Sequence, residues 1–418
     1  MNEQHVKQRA FVSVLGNVVL ALIGLTVALG SVEFLMRTFP NWIPPEIRVN
    51  PPARRVHAFI DETYDLRHSD GDLFYHMRGS IIPISPDHDK VIARIHMITD
   101  AHGFRNSPPE KATYRVVALG DSFTRASGSA FSWTQKLAES MGSDVLNLAD
   151  VGFGPQDELK VLQQYGVKKQ PQWVITAYFE GNDLYDAAAY EQATPFILLR
   201  FGRYIVDRSL EAWHETSQDG TQAKAAPNFR YPIPLTINDN ELEMAFFSYY
   251  ISWLSADREA IKLSKNYHLT TETMLQMQEL SKTSNAHFLL VYVPSKEHVY
   301  LPYLKNADIL ERVFTDVPRI GMDQEGYLQF MKERATPELT RQHMNDQAML
   351  LADFAVEHHL FFLDLTKAFQ EKAGAGAELY YPFDTHWNQI GHNLAAETIY
   401  KYIQTKLHGY RNENFVPN

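Results

Sequence analysis

Short apolar runs alternate with amphipathic segments through the middle and the end of the chain. The runs are rich in β-branched and aromatic residues and are bounded by turn residues, as buried strands are, and segments at helical spacing separate them. The predicted strands are Arg115–Leu119, Val145–Leu148, Trp173–Phe179, Phe288–Val293 and Leu360–Leu365, with helices near Trp133–Met141 and over Gln156–Tyr165. This alternation predicts a three-layer α/β/α fold with a five-stranded parallel, flavodoxin-like sheet.

The most apolar segment lies near the amino terminus. Ala10–Val32 contains no charged residue and is dominated by valine, leucine, alanine and isoleucine. As a helix it spans about 35 Å, which is enough to cross a bilayer. Because Lys7 and Arg9 precede it and Glu33 follows it, the positive-inside rule places the short tail in the cytoplasm and the rest outside. A signal peptide cleaved after Gly30 is the alternative.

The rest of the chain divides by composition. Dense prolines predict an extended linker between the membrane helix and the main domain. The alternation of strands and helices breaks over about 186–285, which predicts an inserted cap whose aromatic residues hold substrate or pack on the sheet. The predicted segments are a cytoplasmic tail (1–9), a transmembrane helix or signal anchor (10–36), the linker (37–56), an extension of the domain (57–110), the main domain (111–408) and a tail (409–418).

Composition excludes several classes of protein. A net charge of −11 without a long basic run argues against a nucleic-acid surface. The absence of cysteine excludes disulfides and thiolate ligands. Asp87-His88-Asp89 and His358-His359 lack further ligands at the spacing of known metal motifs, so no metal and no other cofactor is predicted. The size of the chain, 418 residues, favours one domain with a large insertion over two independent domains.

A serine stands at the end of the first predicted strand of the sheet. Arg115–Leu119 leads directly into Gly120-Asp121-Ser122, residues that tolerate tight turns. The carboxyl ends of parallel strands form the edge at which α/β sheets bind ligands. A serine hydroxyl is a weak nucleophile until a base takes its proton, so Ser122 needs an imidazole nearby.

A late segment offers that imidazole together with a carboxylate. In an extended Asp384-Thr385-His386, the first and third side chains point the same way. Asp384 can therefore orient a ring whose other nitrogen faces Ser122, and Asn388 can cap the helix that follows. Such triplets are common in a chain with 17 histidines and 50 acidic residues, so this one gains weight only from the other strand-end motifs.

Two further motifs follow strands and supply hydrogen-bond donors. Asn147 is followed five residues later by Gly152, and Trp173–Phe179 leads into Glu180-Gly181-Asn182-Asp183. A backbone N–H at Gly152 and the amide of Asn182 suit the oxyanion that forms during acyl transfer. Taken singly, each could be an ordinary turn residue.

The four motifs, taken in their order along the chain, resemble the four sequence blocks of the SGNH (GDSL-type) hydrolase family. The resemblance covers about 100–185 and 285–408 and includes the flanking Gly103-Phe104-Arg105 and Pro294-Ser295-Lys296. It implies that 111–408 is a catalytic domain. It also implies that Ser122 is the nucleophile, His386 the base and Asp384 its orienter, with Gly152, Asn182 and the Ser122 N–H as the oxyanion hole.

One departure from the commoner family pattern affects the predicted reaction. Asp384 stands two residues before His386 instead of three, a spacing similar to that of the alginate O-acetyltransferase branch. We therefore predict a single-pass membrane esterase, anchored through residues 10–32, that acts on a small acyl ester such as an acetylated cell-envelope glycan on the periplasmic or cell-surface side. A polysaccharide O-acetyltransferase is the first alternative, and a catalytically inactive glycan-binding scaffold is the second.

Overall fold

The computed structural model describes residues 3–39, 61–69, 72–75, 90–100, 102–126, 128–192, 198, 233–244, 246, 248–304, 335–381 and 385–413. The predicted orienter Asp384, the Asp87-His88-Asp89 triplet and most of the proline-rich linker lie outside these residues. The chain divides into two compact units. One unit comprises Met1–Val56 with Gln192–Gln222, and the other comprises His57–Glu191 with Ala223–Asn418.

The described strands and helices have the following bounds. The strands are β1 Asp61–Ser69, β2 Asp72–Tyr75, β3 Lys90–Ile98, β4 Val116–Gly120, β5 Val145–Asn147, β6 Trp173–Phe179, β7 Ile233–Ile237, β8 Asn240–Met244, β9 His287–Val293 and β10 Phe361–Asp364. The α-helices are α1 Glu3–Thr38, α2 Ser122–Arg125, α3 Trp133–Met141, α4 Pro155–Val161, α5 Asp183–Gln192, α6 Ser248–Leu254, α7 Arg258–Leu263, α8 Lys265–Thr283, α9 Lys296–Tyr300, α10 Pro337–His343, α11 Asp346–Glu357, α12 Thr366–Gly374 and α13 Gln389–Glu413.

The first unit contains the long apolar helix α1. Its segment Gly16–Met36 has a mean hydropathy of 2.3 and none of it is buried. By length and composition it could cross a membrane, and a signal sequence would share both properties. Near its carboxyl end, the Glu33 carboxylate accepts a hydrogen bond from the Leu198 N–H at 2.8 Å.

The second unit is built around a five-stranded parallel sheet with the order β10-β9-β6-β4-β5. Counted along the chain, these strands have the order 2-1-3-4-5 of a flavodoxin-like sheet, as predicted. The strand order reverses between β4 and β6, which are adjacent in space but separated in sequence by β5. The crevice at such a reversal is where open α/β sheets bind ligands.

Two apolar cores cover the two faces of this sheet, so the fold has three layers. Along β4 the side chains alternate, with Val116 and Ala118 in one core and Val117 and Leu119 in the other. The first core includes side chains of α3, α12 and α13, and the second includes side chains of α4, α8 and α11. All five residues of β4 are buried, as a strand covered on both faces requires.

A three-stranded antiparallel sheet precedes the parallel one and a hairpin follows β6. The first sheet has the order β2-β1-β3. The hairpin pairs β7 with β8 through Asn238 and Asp239, which have φ of 48° and 63°. Positive φ at both residues is the geometry of a two-residue hairpin turn.

Two helical segments differ from their predicted form. The predicted helix Gln156–Tyr165 is α4 followed by a π-helical turn at Leu162–Gly166. The helix α8 lies within the predicted 186–285 insertion, yet its Met274 and Met277 are buried in the second core. This helix therefore packs on the sheet as the crossover that leads into β9.

Candidate active site

Ser122 is the first residue of the short helix α2, directly after β4. The Asp121 carboxylate caps this helix by accepting the Phe123 N–H at 2.9 Å. Gly120 has a φ of 146°, and a Cβ at this position would collide with the Thr124 side chain. The Gly-Asp-Ser motif thus has a structural basis, because the glycine permits the sharp turn and the aspartate begins the helix.

His386 lies within hydrogen-bonding distance of Ser122. Its Nε2 is 2.7 Å from the Ser122 Oγ, the geometry that a general base needs to take the hydroxyl proton. The His386 backbone carbonyl accepts the Tyr381 N–H at 3.0 Å. As predicted, the Asn388 side chain caps α13, accepting the N–H groups of Ile390 at 2.9 Å and Gly391 at 3.1 Å.

Aromatic packing holds the imidazole in place. The Phe123 ring centroid is 5.0 Å from that of His386, 4.3 Å from that of Phe179 and 5.2 Å from that of Trp387. Phe123, Phe179 and Trp387 are all buried. The ring of His386 therefore rests against an apolar floor that limits its rotation, while Ser122 and His386 themselves remain partly exposed.

Asn182 follows β6 at the same edge of the sheet. Its Nδ2 donates to the Asp186 Oδ2 at 2.7 Å. The preceding Gly181 is closely packed, because a Cβ there would lie 2.5 Å from the Phe179 ring and 2.8 Å from that of Tyr250. Tyr250 belongs to α6, so an aromatic residue of the predicted insertion borders the Asn182 turn.

Gly152 lies in the loop that follows β5. It has a φ of 71° and is exposed. The buried Asn147 ties this loop to the serine helix: its Nδ2 donates to the Thr124 carbonyl at 2.9 Å and its Oδ1 accepts the Ala149 N–H at 2.9 Å. Because β5 and β6 flank β4 on opposite sides, Gly152 and Asn182 follow the two strands adjacent to that of Ser122.

Arg105 holds the loop after the serine helix, a role that sequence reasoning did not identify. Its guanidinium is buried and donates to four backbone carbonyls, those of Arg125 at 3.2 Å, Ala126, and Ser129 and Ala130 both at 2.8 Å. The same loop meets the histidine segment, since the Ser129 hydroxyl donates to the Trp387 carbonyl at 3.4 Å. The Gly103-Phe104-Arg105 motif was the sequence feature from which this role of Arg105 could have been predicted.

Glu180 and His298 form a buried pair at the ends of β6 and β9. His298 Nδ1 is 2.8 Å from Glu180 Oε2, and Glu180 Oε1 accepts the Ser295 N–H at 2.6 Å. Burial alone would lower the pKa of His298, but the Glu180 carboxylate, together with Asn345, raises it. The sequence motif included Ser295 but assigned it no role. The Glu180–His298 pair fixes the end of β6, two residues before Asn182.

Three buried carboxyl groups lie behind the serine. Burial raises the pKa of Asp121 to about 6, although the Phe123 N–H, His386 and Asn182 lower it in part. Burial also raises the pKa of Glu158 and of Asp183 well above their usual range, and the nearby charge of Asp121 raises both further. In the described part of the chain, no group of three or more acidic or histidine side chains could hold a metal ion.

One protein family has a model that matches part of the chain. Residues 328–416 match the model of the SGNH hydrolase-like domain of the acetyltransferase AlgX. This range includes Asp384 and His386. No protein of curated function matches the chain.

Solved structures similar to the chain include a GDSL-like lipase from Bacteroides thetaiotaomicron, at 12% identity over 71% of this chain and 91% of that one, with a TM-score of 0.31. A mutant of an acetyl-xylooligosaccharide esterase from Geobacillus matches at 11% identity over 69% and 94% of the two chains, with a TM-score of 0.35. These scores are low, so the fold assignment rests on the observed strand order. The family match covers residues 328–416, and the Ser122, Asn147–Gly152, Asn182 and His386 motifs resemble the same SGNH family.

Proposed function

We propose that the chain is a membrane-anchored, extracytoplasmic serine esterase that hydrolyses small O-acyl esters, acetyl esters of carbohydrates above all. The observation that carries the proposal is the 2.7 Å separation of the Ser122 Oγ and His386 Nε2. Both residues lie at the carboxyl edge of the sheet, where the strand order reverses and ligands bind. The apolar segment Gly16–Met36, with Lys7 and Arg9 before it, supports the anchor and its orientation.

The first half of the reaction forms an acyl-enzyme. The Ser122 Oγ attacks the ester carbonyl carbon while its proton moves to the His386 Nε2. The carbonyl oxygen becomes an oxyanion, which the N–H groups of Ser122 and Gly152 and the Nδ2 of Asn182 stabilise. When the intermediate collapses, the bond to the alcohol oxygen breaks and His386 returns the proton to that oxygen.

The second half releases the acyl group by the same steps in reverse. With the alcohol gone, His386 takes a proton from water as the water oxygen attacks the acyl carbon. The bond to the Ser122 Oγ breaks, the carboxylic acid leaves and the serine recovers its proton. In this scheme Asp384, as predicted from the sequence, orients the imidazole and stabilises its charged form.

Acetyl transfer to a cell-envelope polysaccharide is the second candidate function. It is favoured by the match of residues 328–416 to the AlgX acetyltransferase domain and by the two-residue spacing of Asp384 and His386. Both functions share every step up to acyl-Ser122. They differ only in whether water or a sugar hydroxyl attacks the acyl carbon, which depends on what the site binds and how well it excludes water.

The test is turnover of an activated acetyl ester by the full-length chain and by Ser122→Ala. We expect the variant to lose activity by a factor on the order of 10⁴ or more while it remains folded. Ser140→Ala, which removes an exposed serine of α3, is the matched control and should keep the wild-type rate. Unchanged turnover in Ser122→Ala would refute the proposal. With an oligosaccharide present, free acetate supports hydrolysis and acetylated sugar supports transfer.

A further inference from the structure

The amide of Asn182 lies between two carboxyl groups. On one side its Nδ2 donates to the Asp186 Oδ2 at 2.7 Å. On the other side the Asn182 side chain faces Asp121 and lowers the pKa of its carboxyl group, and the Asp121 Oδ2 is 3.5 Å from the Ser122 Oγ. The amide therefore spans the space from α5 to the reacting serine.

Asp186 also contacts the loop that carries Gly152. A Cβ at Gly154 would lie only 2.8 Å from the Asp186 Cβ and 3.2 Å from its carbonyl carbon. Gly154, two residues after Gly152, thus packs directly on Asp186. On its own helix, the Asp186 N–H donates to the Asn182 carbonyl at 2.8 Å. One aspartate therefore touches both segments that carry the predicted oxyanion donors.

An amide side chain has two distinct ends, and only one of them can stabilise an oxyanion. The nitrogen carries two N–H donors, whereas the oxygen is an acceptor whose lone pairs would repel a negative charge. An ionised carboxylate only accepts, so Asp186 selects the orientation in which the Asn182 nitrogen points inward. One N–H is then used by Asp186, and the second lies on the side of Asp121 and Ser122.

We propose that Asp186 is a positioning residue for the oxyanion hole, which fixes the orientation of the Asn182 amide and supports the Gly152 loop. The inference rests on the proposed function, because it assigns Asp186 a part in the same acyl transfer. Asp186 itself does not touch the reacting atoms. Its contribution is to hold a donor in place before the charge develops, which is the source of the advantage that an oxyanion hole provides.

The experiment measures kcat and KM for an activated acetyl ester in Asp186→Ala and Asp186→Asn. For Asp186→Ala we expect kcat to fall on the order of tenfold or more with KM nearly unchanged, because the oxyanion exists only in the transition state. Asp186→Asn keeps an acceptor oxygen for the Asn182 nitrogen and should recover most of the lost kcat. Asp144→Ala, which removes a carboxylate at the opposite end of the sheet beside Lys111, is the matched control.

A double-mutant cycle separates positioning from general destabilisation. If Asp186 acts through Asn182, then Asp186→Ala should have little further effect on kcat in an Asn182→Ala background. A wild-type kcat in Asp186→Ala would overturn the inference, and so would the same fold-loss in both backgrounds. Because Asp186→Asn keeps the size of the side chain and an acceptor oxygen, a large loss of kcat in that variant would also contradict the inference. An inactive wild type, or an active Ser122→Ala, would instead refute the proposed function.

Discussion

At the residue scale, the carboxyl groups behind Ser122 link the site to the pH dependence of stability. Glu158 is completely buried, and burial raises its pKa well above the usual value of 4.5. Below that value Glu158 is protonated in both the folded and the unfolded chain. As the pH rises further, the unfolded chain loses this proton while the folded chain keeps it. Glu158 therefore lowers the free energy of unfolding as the pH rises toward its folded pKa.

Glu158→Gln should remove this loss of stability because a glutamine does not ionise. Between two pH values above 4.5, we expect the variant to lose less unfolding free energy than the wild type as the pH rises, by up to about 1.4 kcal/mol per pH unit. Urea unfolding at the two pH values measures the difference. Glu139→Gln, at an exposed position of α3, is the control. Parallel pH dependence in wild type and Glu158→Gln would contradict the assignment.

Individual residues differed in how well the sequence predicted them. The proximity of Ser122 and His386 could be predicted because a serine nucleophile needs an imidazole beside it, and the structure places the two side chains 2.7 Å apart. Asp186 could not be predicted from the sequence, because it is one of 50 acidic residues. Its proposed role is exerted through Asn182, one helical turn away. Within the described residues, the Arg105 guanidinium donates to backbone carbonyls, which a sequence pattern does not signal.

At the scale of elements, buried strands were predicted well because their apolar runs are short and bounded. Trp173–Phe179 and Trp133–Met141 have the predicted bounds, and Ser132 with Gln135 forms a capping box at the start of the helix. The placement of β4 between β5 and β6 agrees with the predicted flavodoxin-like sheet. It is this placement that brings the Ser122, Gly152 and Asn182 segments to one edge.

The inserted region was harder to interpret. The helix α8 buries threonines and methionines, among them Thr270, Thr273, Met274 and Met277, and so lacks the leucine and isoleucine stripe that marks a core helix. The hairpin of β7 and β8 includes Pro234, which weakens a strand pattern. The helix α8 packs against residues distant in sequence, so local pattern alone did not reveal it.

At the scale of the whole molecule, the proposed location of the chemistry rests on the apolar helix. If Gly16–Met36 spans a membrane, the full-length chain should stay in the membrane pellet after an alkaline carbonate wash and dissolve only in detergent. Protease added to intact spheroplasts should digest the enzyme domain but leave an amino-terminal tag protected. Recovery in the carbonate wash would contradict anchoring. Protection of the domain would reverse the proposed orientation.

The central claim is that Ser122, activated by His386, becomes covalently acylated. The most direct measurement is labelling of the purified full-length chain by a fluorophosphonate probe, with the modified residue identified by peptide mass spectrometry. We predict one labelled residue, Ser122, with labelling abolished in Ser122→Ala and slowed on the order of a thousandfold or more in His386→Ala. No labelling of the folded wild type, or labelling that His386→Ala leaves unchanged, would contradict the account and favour an inactive glycan-binding scaffold.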